Sequence, residues 1–330
     1  MKWLAGIKII LLVIVLSACQ TAQGEKDTST LILAHSHPTS HPIHKAMEVL
    51  KEEVEEKTNN ELHLKIYPNG NLGSEREVIE RTQIGTVDIA KVSVSSLESF
   101  EPSYAIFSLP YLFENKEQFH RVMTSSAITE ELYNKTIDSG FRGLSYYSGG
   151  VRNVYTADRQ VQSPEDMQGL KIRVQASQTS VQMINAMGGV PTPMSYSQVY
   201  TALQSGVIGG AENNATALTS SNHGEVAKNY FYTEHSIVPD MLIISDKTYN
   251  QLSDEHRRIL QEAASTSTNH HRELWQKAVN DAKETAKQEM NVNFQEVDKQ
   301  AFIEAVQPMH EQFKNDPATS DIYQTINEVK

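Results

Sequence analysis

Arg173 lies in the segment Leu170-Lys171-Ile172-Arg173-Val174, where apolar and basic residues alternate. Such alternation reads as a strand with Ile172 and Val174 on one face and Lys171 and Arg173 on the other. The basic face is either solvated or turned into a cleft. In a cleft, the planar guanidinium holds a carboxylate through two parallel hydrogen bonds, which a lysine ammonium cannot do. Residues 207–211 (VIGGA) read as a second strand, and Glu212-Asn213-Asn214 follows on it. Ligands of open α/β sheets bind beyond the carboxyl ends of strands, and an asparagine there offers both a donor and an acceptor. The same residues also suit an Asn-rich turn. A third cluster is His35, His37, His41 and His44 in H-S-H-P-T-S-H-P-I-H. Histidine clusters bind zinc, but this spacing matches no standard zinc site and no cysteine joins it.

Other chemistries lack their motifs. The chain has no G-x-S-x-G elbow, phosphate loop, H-E-x-x-H or dinucleotide fingerprint. Its many acids single out no catalytic pair. Lys and Arg total 29 against 41 Asp and Glu, a net charge of −12. A field of that sign disfavours nucleic acid and anionic lipid as partners. An anionic ligand has to be captured by a few local cations against the global field.

The amino terminus carries an address. Lys2 and Lys8 form a basic head, residues 9–16 are apolar, and Leu16-Ser17-Ala18-Cys19 ends the run at the only cysteine of the chain. The run is too short to span a bilayer stably, and the layout is that of a secretory signal. L-S-A-C resembles a bacterial lipobox. Residues 1–18 are therefore expected to be removed, Cys19 lipidated, and residues 19–29 to serve as a membrane tether. Loss of the two leader lysines takes the net charge to −14.

The remaining pattern supplies the positioning elements. Residues 30–35 are a short apolar strand, Pro42 opens an amphipathic helix, and residues 62–66 alternate as a half-buried strand. Ser74 and Glu77 have capping-box spacing before the next helix, and residues 87–92 form a third strand. The order β-α-β-α-β predicts a largely parallel sheet with helices on its faces. The pattern restarts after Gly149-Gly150, through 170–174, a helix ending at Gly188-Gly189, a capped helix from Ser195, and 207–211. Residues 253–290 carry one long helical periodicity, suited to bracing two domains.

Together, VEEKTNNELHLKIYPNGNLGSEREVIE, GTVDIA, LPYLFEN, SPEDMQGLKIRV, GGVPTPMSYSQVYTALQSGV, AENN and LIISDKTYNQLSDEHRRIL resemble the substrate-binding proteins of tripartite ATP-independent periplasmic (TRAP) transporters, of the C4-dicarboxylate-binding (DctP) type. The resemblance runs from about residue 30 to 270. It implies an α/β, two-domain clam-shell fold of the periplasmic-binding-protein kind, with a long helix spanning both domains. The domains are expected at 30–150 with 240–279 and at 151–239 with 280–330. By the same resemblance Arg173 pairs with the substrate carboxylate, Arg152 is a second cleft arginine and Asn213 bonds the same carboxylate. Tyr196 sets an aromatic ring against the ligand and Glu75 approaches it from the first domain.

The expected function is capture of a small organic acid outside the cytoplasm and delivery to a TRAP permease, with no cofactor and no catalysis. Residues 208–210 lack the family's usual acid, and Gln198 replaces a usual Glu. Ser93 stands where some sialic-acid binders have a glutamate. The stretch from Gly210 to Asp240 resembles sugar-acid binders, so a uronate is favoured over a C4-dicarboxylate. Two other classes stay open: an exported zinc-binding lipoprotein built on the histidine cluster, and an exported enzyme acting on sugar acids.

Overall fold

The computed structural model describes residues 28–329. The basic head, the apolar run, Cys19 and most of the tether lie outside the described residues. The principal elements are β1 (Ser29–Ala34), α1 (Pro42–Lys57), β2 (Leu62–Tyr67), α2 (Glu75–Gln83), β3 (Ile89–Ser93), α3 (Lys116–Met123) and β4 (Phe141–Thr156). There follow β5 (Lys171–Val174), α4 (Gln178–Ala186), β6 (Val190–Pro193), α5 (Val199–Gln204), β7 (Gly210–Asn213), β8 (Asn229–Ser245), α6 (Asp254–Gln288), β9 (Asn293–Gln295), α7 (Lys299–Asn315) and α8 (Ser320–Glu328).

Two parallel units form as the β/α pattern predicts. β1 pairs in parallel with β2 and β3, and β5 pairs in parallel with β6 and β7. Predicted caps are present. The Ser74 and Glu77 side chains cap each other's backbone amides at the start of α2, and Ser195 and Gln198 do so ahead of α5. Each such box satisfies amides that the helix leaves open.

The joining elements differ from the sequence reading. Gly149-Gly150, after which the local pattern restarts, lies inside β4, a strand of 16 residues. β4 pairs antiparallel with the 17-residue β8 and with β7, and β8 pairs with β3. One sheet of order β2-β1-β3-β8-β4-β7-β5-β6 results, with β9 added beside β8. The register of β4 on β8 shifts between Ser148 and Val151, which is why the local pattern breaks there. The two glycines are needed for close approach. A Cβ on Gly149 would sit 2.5 Å from the Val238 carbonyl oxygen, and Gly150, at φ +70°, lies against the Trp275 ring.

Alternation divides the core. Ala34 faces a cluster holding Val78, Phe107, Ile172 and Met183, whereas Leu33 faces one holding Leu50, Leu64 and Leu260. A third cluster gathers Tyr155, Leu203, Ile208 and Ala286. Helix α6, capped by Ser253, contributes Leu260 to the first unit's core and Ala286 to the second's, so it spans both as expected. Among the described residues, no helix is long and apolar enough to cross a membrane.

Candidate ligand-binding site

The parallel strands of the two units end toward each other. Residues at or just beyond the carboxyl ends of β1, β2, β3, β5, β6 and β7 border one cavity of about 260 Å³, floored by the middles of β4 and β8. That is the position in which open α/β sheets hold ligands, and the size suits a small molecule. The turn Pro68-Asn69-Gly70 is tied to this edge. Asn69 and Gly70 take left-handed backbone conformations, and their amides donate to the carbonyls of His37 and His35.

All five residues implied as ligand contacts line this cavity: Glu75, Arg152, Arg173, Tyr196 and Asn213. They differ sharply in how far the protein already satisfies them. Arg173 is buried, with 4% of its surface exposed, because β6 and β7 flank its strand while its facemate Lys171 stays exposed. Its Nε and Nη2 donate to the Met194 carbonyl at 3.1 and 2.9 Å. Among the described residues its Nη1 has no hydrogen-bond partner and no carboxylate lies within ion-pair distance. The guanidinium carbon stands 5.9 Å from the centre of the Tyr196 ring. Burial pushes Arg173 below its ordinary pKa; Glu212 opposes this and Arg152 adds to it.

Arg152 is in the opposite condition. Its Nε and Nη2 donate to Glu212 Oε2 and Oε1 at 2.5 and 2.8 Å, and Nη2 also reaches the Glu212 carbonyl at 2.8 Å. His235 lies 3.3 Å from the same Oε2. Burial works against both charges, but the pair overcomes it. Arg152 stands above its ordinary pKa, and Glu212 is held down to about 2 by Arg152 and His235. Arg152 Nη1 donates to Asn213 Oδ1 at 3.1 Å. An arginine offers only donors, so that contact turns the Asn213 oxygen inward and leaves Nδ2, which has no partner among the described residues, as its available donor. Asn213 is the last residue of β7 and not part of a following loop: the strand begins at Gly210, three residues later than its apolar pattern suggests.

The facing wall holds charges that the sequence reading did not anticipate. Lys91 in β3 is fully buried, 3.0 Å from Asp240 Oδ2 and 3.8 Å from Glu75 Oε1. Burial opposes the Asp240 charge, but Lys91 and then His37 hold its carboxyl well below the usual range. Glu75 accepts from Ser36 Oγ, Ser93 N and Ser96 Oγ at 3.2, 3.2 and 2.7 Å. The available signal was a lone lysine in an apolar strand, Ile89-Ala90-Lys91-Val92, and an acid, Asp240, just ahead of the apolar run Met241-Leu242-Ile243-Ile244 of β8. Each is a charge that burial forces to find a partner.

The four histidines do not converge on one point. His35 Nε2 bonds His44 Nδ1 at 3.0 Å, and His35 Nδ1 accepts from His37 N. His41 caps α1 by accepting from Ile43 N, stacks on His37 at 4.1 Å, and reaches Thr216 Oγ1 at 3.2 Å. Among the described residues, no group of three or more His, Cys, Asp or Glu is arranged to hold a metal ion. The histidines serve instead as a helix cap and as braces to one another and to Thr216.

Comparison with known proteins agrees with this arrangement. Residues 33–316 match the family DctP, bacterial extracellular solute-binding protein family 7. The protein YiiZ of Salmonella typhimurium is 42% identical over 291 residues, covering 88% of this chain and 89% of that one. The crystal structure of a TRAP periplasmic solute-binding protein from Anaerococcus prevotii, with bound D-glucuronate, superposes with a TM-score of 0.89 at 37% identity, covering 92% of this chain and 98% of that one. Another from Xanthobacter autotrophicus, with bound β-D-galacturonate, gives 0.87 at 32% identity, covering 91% and 100%. The chain belongs to the DctP family of extracellular solute-binding proteins, which serve TRAP transport and are not enzymes.

Proposed function

We propose that this protein binds a sugar acid of the uronate type and presents it to a TRAP permease from a lipid anchor at Cys19. The observation that carries this reading is Arg173: a buried guanidinium on the cavity wall with no carboxylate partner among the described residues. A buried cation is costly until an anion pairs it. A ligand carboxylate supplies that anion, with Asn213 Nδ2 as a second donor and the Tyr196 ring beside it. Arg152 acts one step back, holding Asn213 in place. The glucuronate and galacturonate in the two solved relatives favour a uronate over a C4-dicarboxylate.

In this reading the lobes are 30–150 with 240–279 and 151–239 with 280–330, and they part through the middles of β4 and β8. Closure over an empty site would strand Arg173 without an anion, so ligand favours the closed form that a permease recognises. A thermal-shift series tests the reading. D-glucuronate or D-galacturonate at about 100 times its Kd should add about 2.7 kcal/mol of stability, a rise of several degrees. Glucose and galactose should add nothing. A response to neutral sugars with none to any carboxylate overturns it.

A further inference from the structure

The strands of the two units line the cavity with opposite net charge. On the Arg173 side, two arginines face one carboxylate, Glu212. On the other, one ammonium faces two carboxylates, Asp240 and Glu75. Lys91 is fully buried behind them, so the cavity meets the acids and not the amine. Glu75 already accepts three hydrogen bonds. Asp240 is different. Lys91 and His37 both approach its Oδ2, at 3.0 and 3.8 Å, while its Oδ1 has no donor among the described residues. Arg76 also lines the cavity, but it is exposed and committed to Glu80 and Ser99, so it adds little charge at depth.

We propose that Asp240, backed by Glu75, makes this site reject a second carboxylate, so that it selects hydroxylated monocarboxylates over dicarboxylates. This rests on the reading of Arg173 as the carboxylate anchor. A ligand hydroxyl on that side donates to Asp240 Oδ1 and satisfies it. An ionised carboxylate there has no proton to donate and meets like charge in a buried setting. Asp240 does not escape by taking a proton, because Lys91 and His37 hold it ionised.

Calorimetry with matched acids tests this. D-galactonate and the meso diacid galactarate share an open chain and hydroxyl configuration; they differ in a terminal hydroxymethyl or carboxylate. D-galacturonate tests the cyclic form. Wild type should bind galactonate or galacturonate at least tenfold tighter than galactarate. Asp240→Asn should bring that ratio within threefold, with melting curves confirming the fold. Glu75→Gln removes the neighbouring charge and should shift the ratio the same way if Asp240→Asn fails to fold. Wild type binding galactarate as tightly as the monoacids, or a ratio unmoved in both folded variants, overturns the inference alone. Failure of all three acids to bind overturns the sugar-acid reading and the inference with it.

Discussion

Glu212 takes Arg152 through both carboxylate oxygens, at 2.5 Å from Nε and 2.8 Å from Nη2, and so removes that arginine from the unpaired cations of the cavity. Arg152→Ala is therefore a stability mutation first. It strands a buried carboxylate and should cost roughly 3–5 kcal/mol of unfolding free energy. Urea titration reads this directly. A loss below about 1 kcal/mol would show that Glu212 finds another partner or a proton at little cost.

Arg173 should behave in the reverse way. It has no carboxylate to strand among the described residues, so Arg173→Ala should fold normally while losing roughly 2–5 kcal/mol of binding to a uronate. Arg173→Lys should recover only part, because an ammonium cannot reproduce the fork. Calorimetry alongside melting curves separates the two effects. A folded Arg173→Ala protein binding within about twofold of wild type would move the anchor elsewhere.

The contrast between these arginines was not legible in the sequence. Periodicity located β1, β2, β3 and β5, and the capping boxes at Ser74 and Ser195, because each depends on residues close in the chain. The β4–β8 pairing joins residues from 73 apart (Thr156 with Asn229) to 104 apart (Phe141 with Ser245). It is also interrupted by the shift at Ser148–Val151 and by Glu234 at φ +46°, so neither strand shows a clean period of two. The five implied contact residues do meet at one cavity, since family motifs encode that meeting. Which of them is already paired is set by Glu212, Asp240 and Lys91, and their partners come from other strands.

Glu98 reaches from the segment after β3 to the start of α4. Its carboxylate accepts from Ser177 Oγ at 2.6 Å and from Thr179 N at 3.1 Å. An acid at a helix amino terminus is favoured by both the open amides and the dipole. The contact bridges the two units near the cavity, so opening would break it. Glu98→Ala should weaken ligand binding by about 1–2 kcal/mol, or 5–30-fold, chiefly through faster release. Stopped-flow displacement measures the release rate, and an unchanged rate would count against a role in closure.

Cys19 is the expected anchor. In cells given labelled fatty acid, the wild-type protein should carry label and sediment with membranes. Cys19→Ala should do neither. Unlabelled wild-type protein would leave the L-S-A-C motif without a function.

Acidification should unfold the ligand-free protein earlier than carboxylate titration alone requires. Burial lowers His35 to about 2, and His223 and His271 to about 3, from an ordinary value of 6.5. Below pH 6.5 the unfolded chain binds protons that the folded chain refuses. Stability is thus fully present above 6.5 and falls as pH drops toward the folded values. Each such histidine contributes a slope of up to about 1.4 kcal/mol per pH unit. Glu212, held down to about 2, adds a further loss only below about pH 4.5. The melting temperature should therefore be flat from pH 8 to 7 and decline between about 6.5 and 5. His271 provides the test variant, because its buried Nε2 has no hydrogen-bond partner among the described residues and its ring packs 5.0 Å from Trp275. His271→Phe keeps the packing and cannot take a proton, so it should flatten the decline. A melting temperature equal at pH 7.5 and 5 would mean that these imidazoles open to water before the chain unfolds.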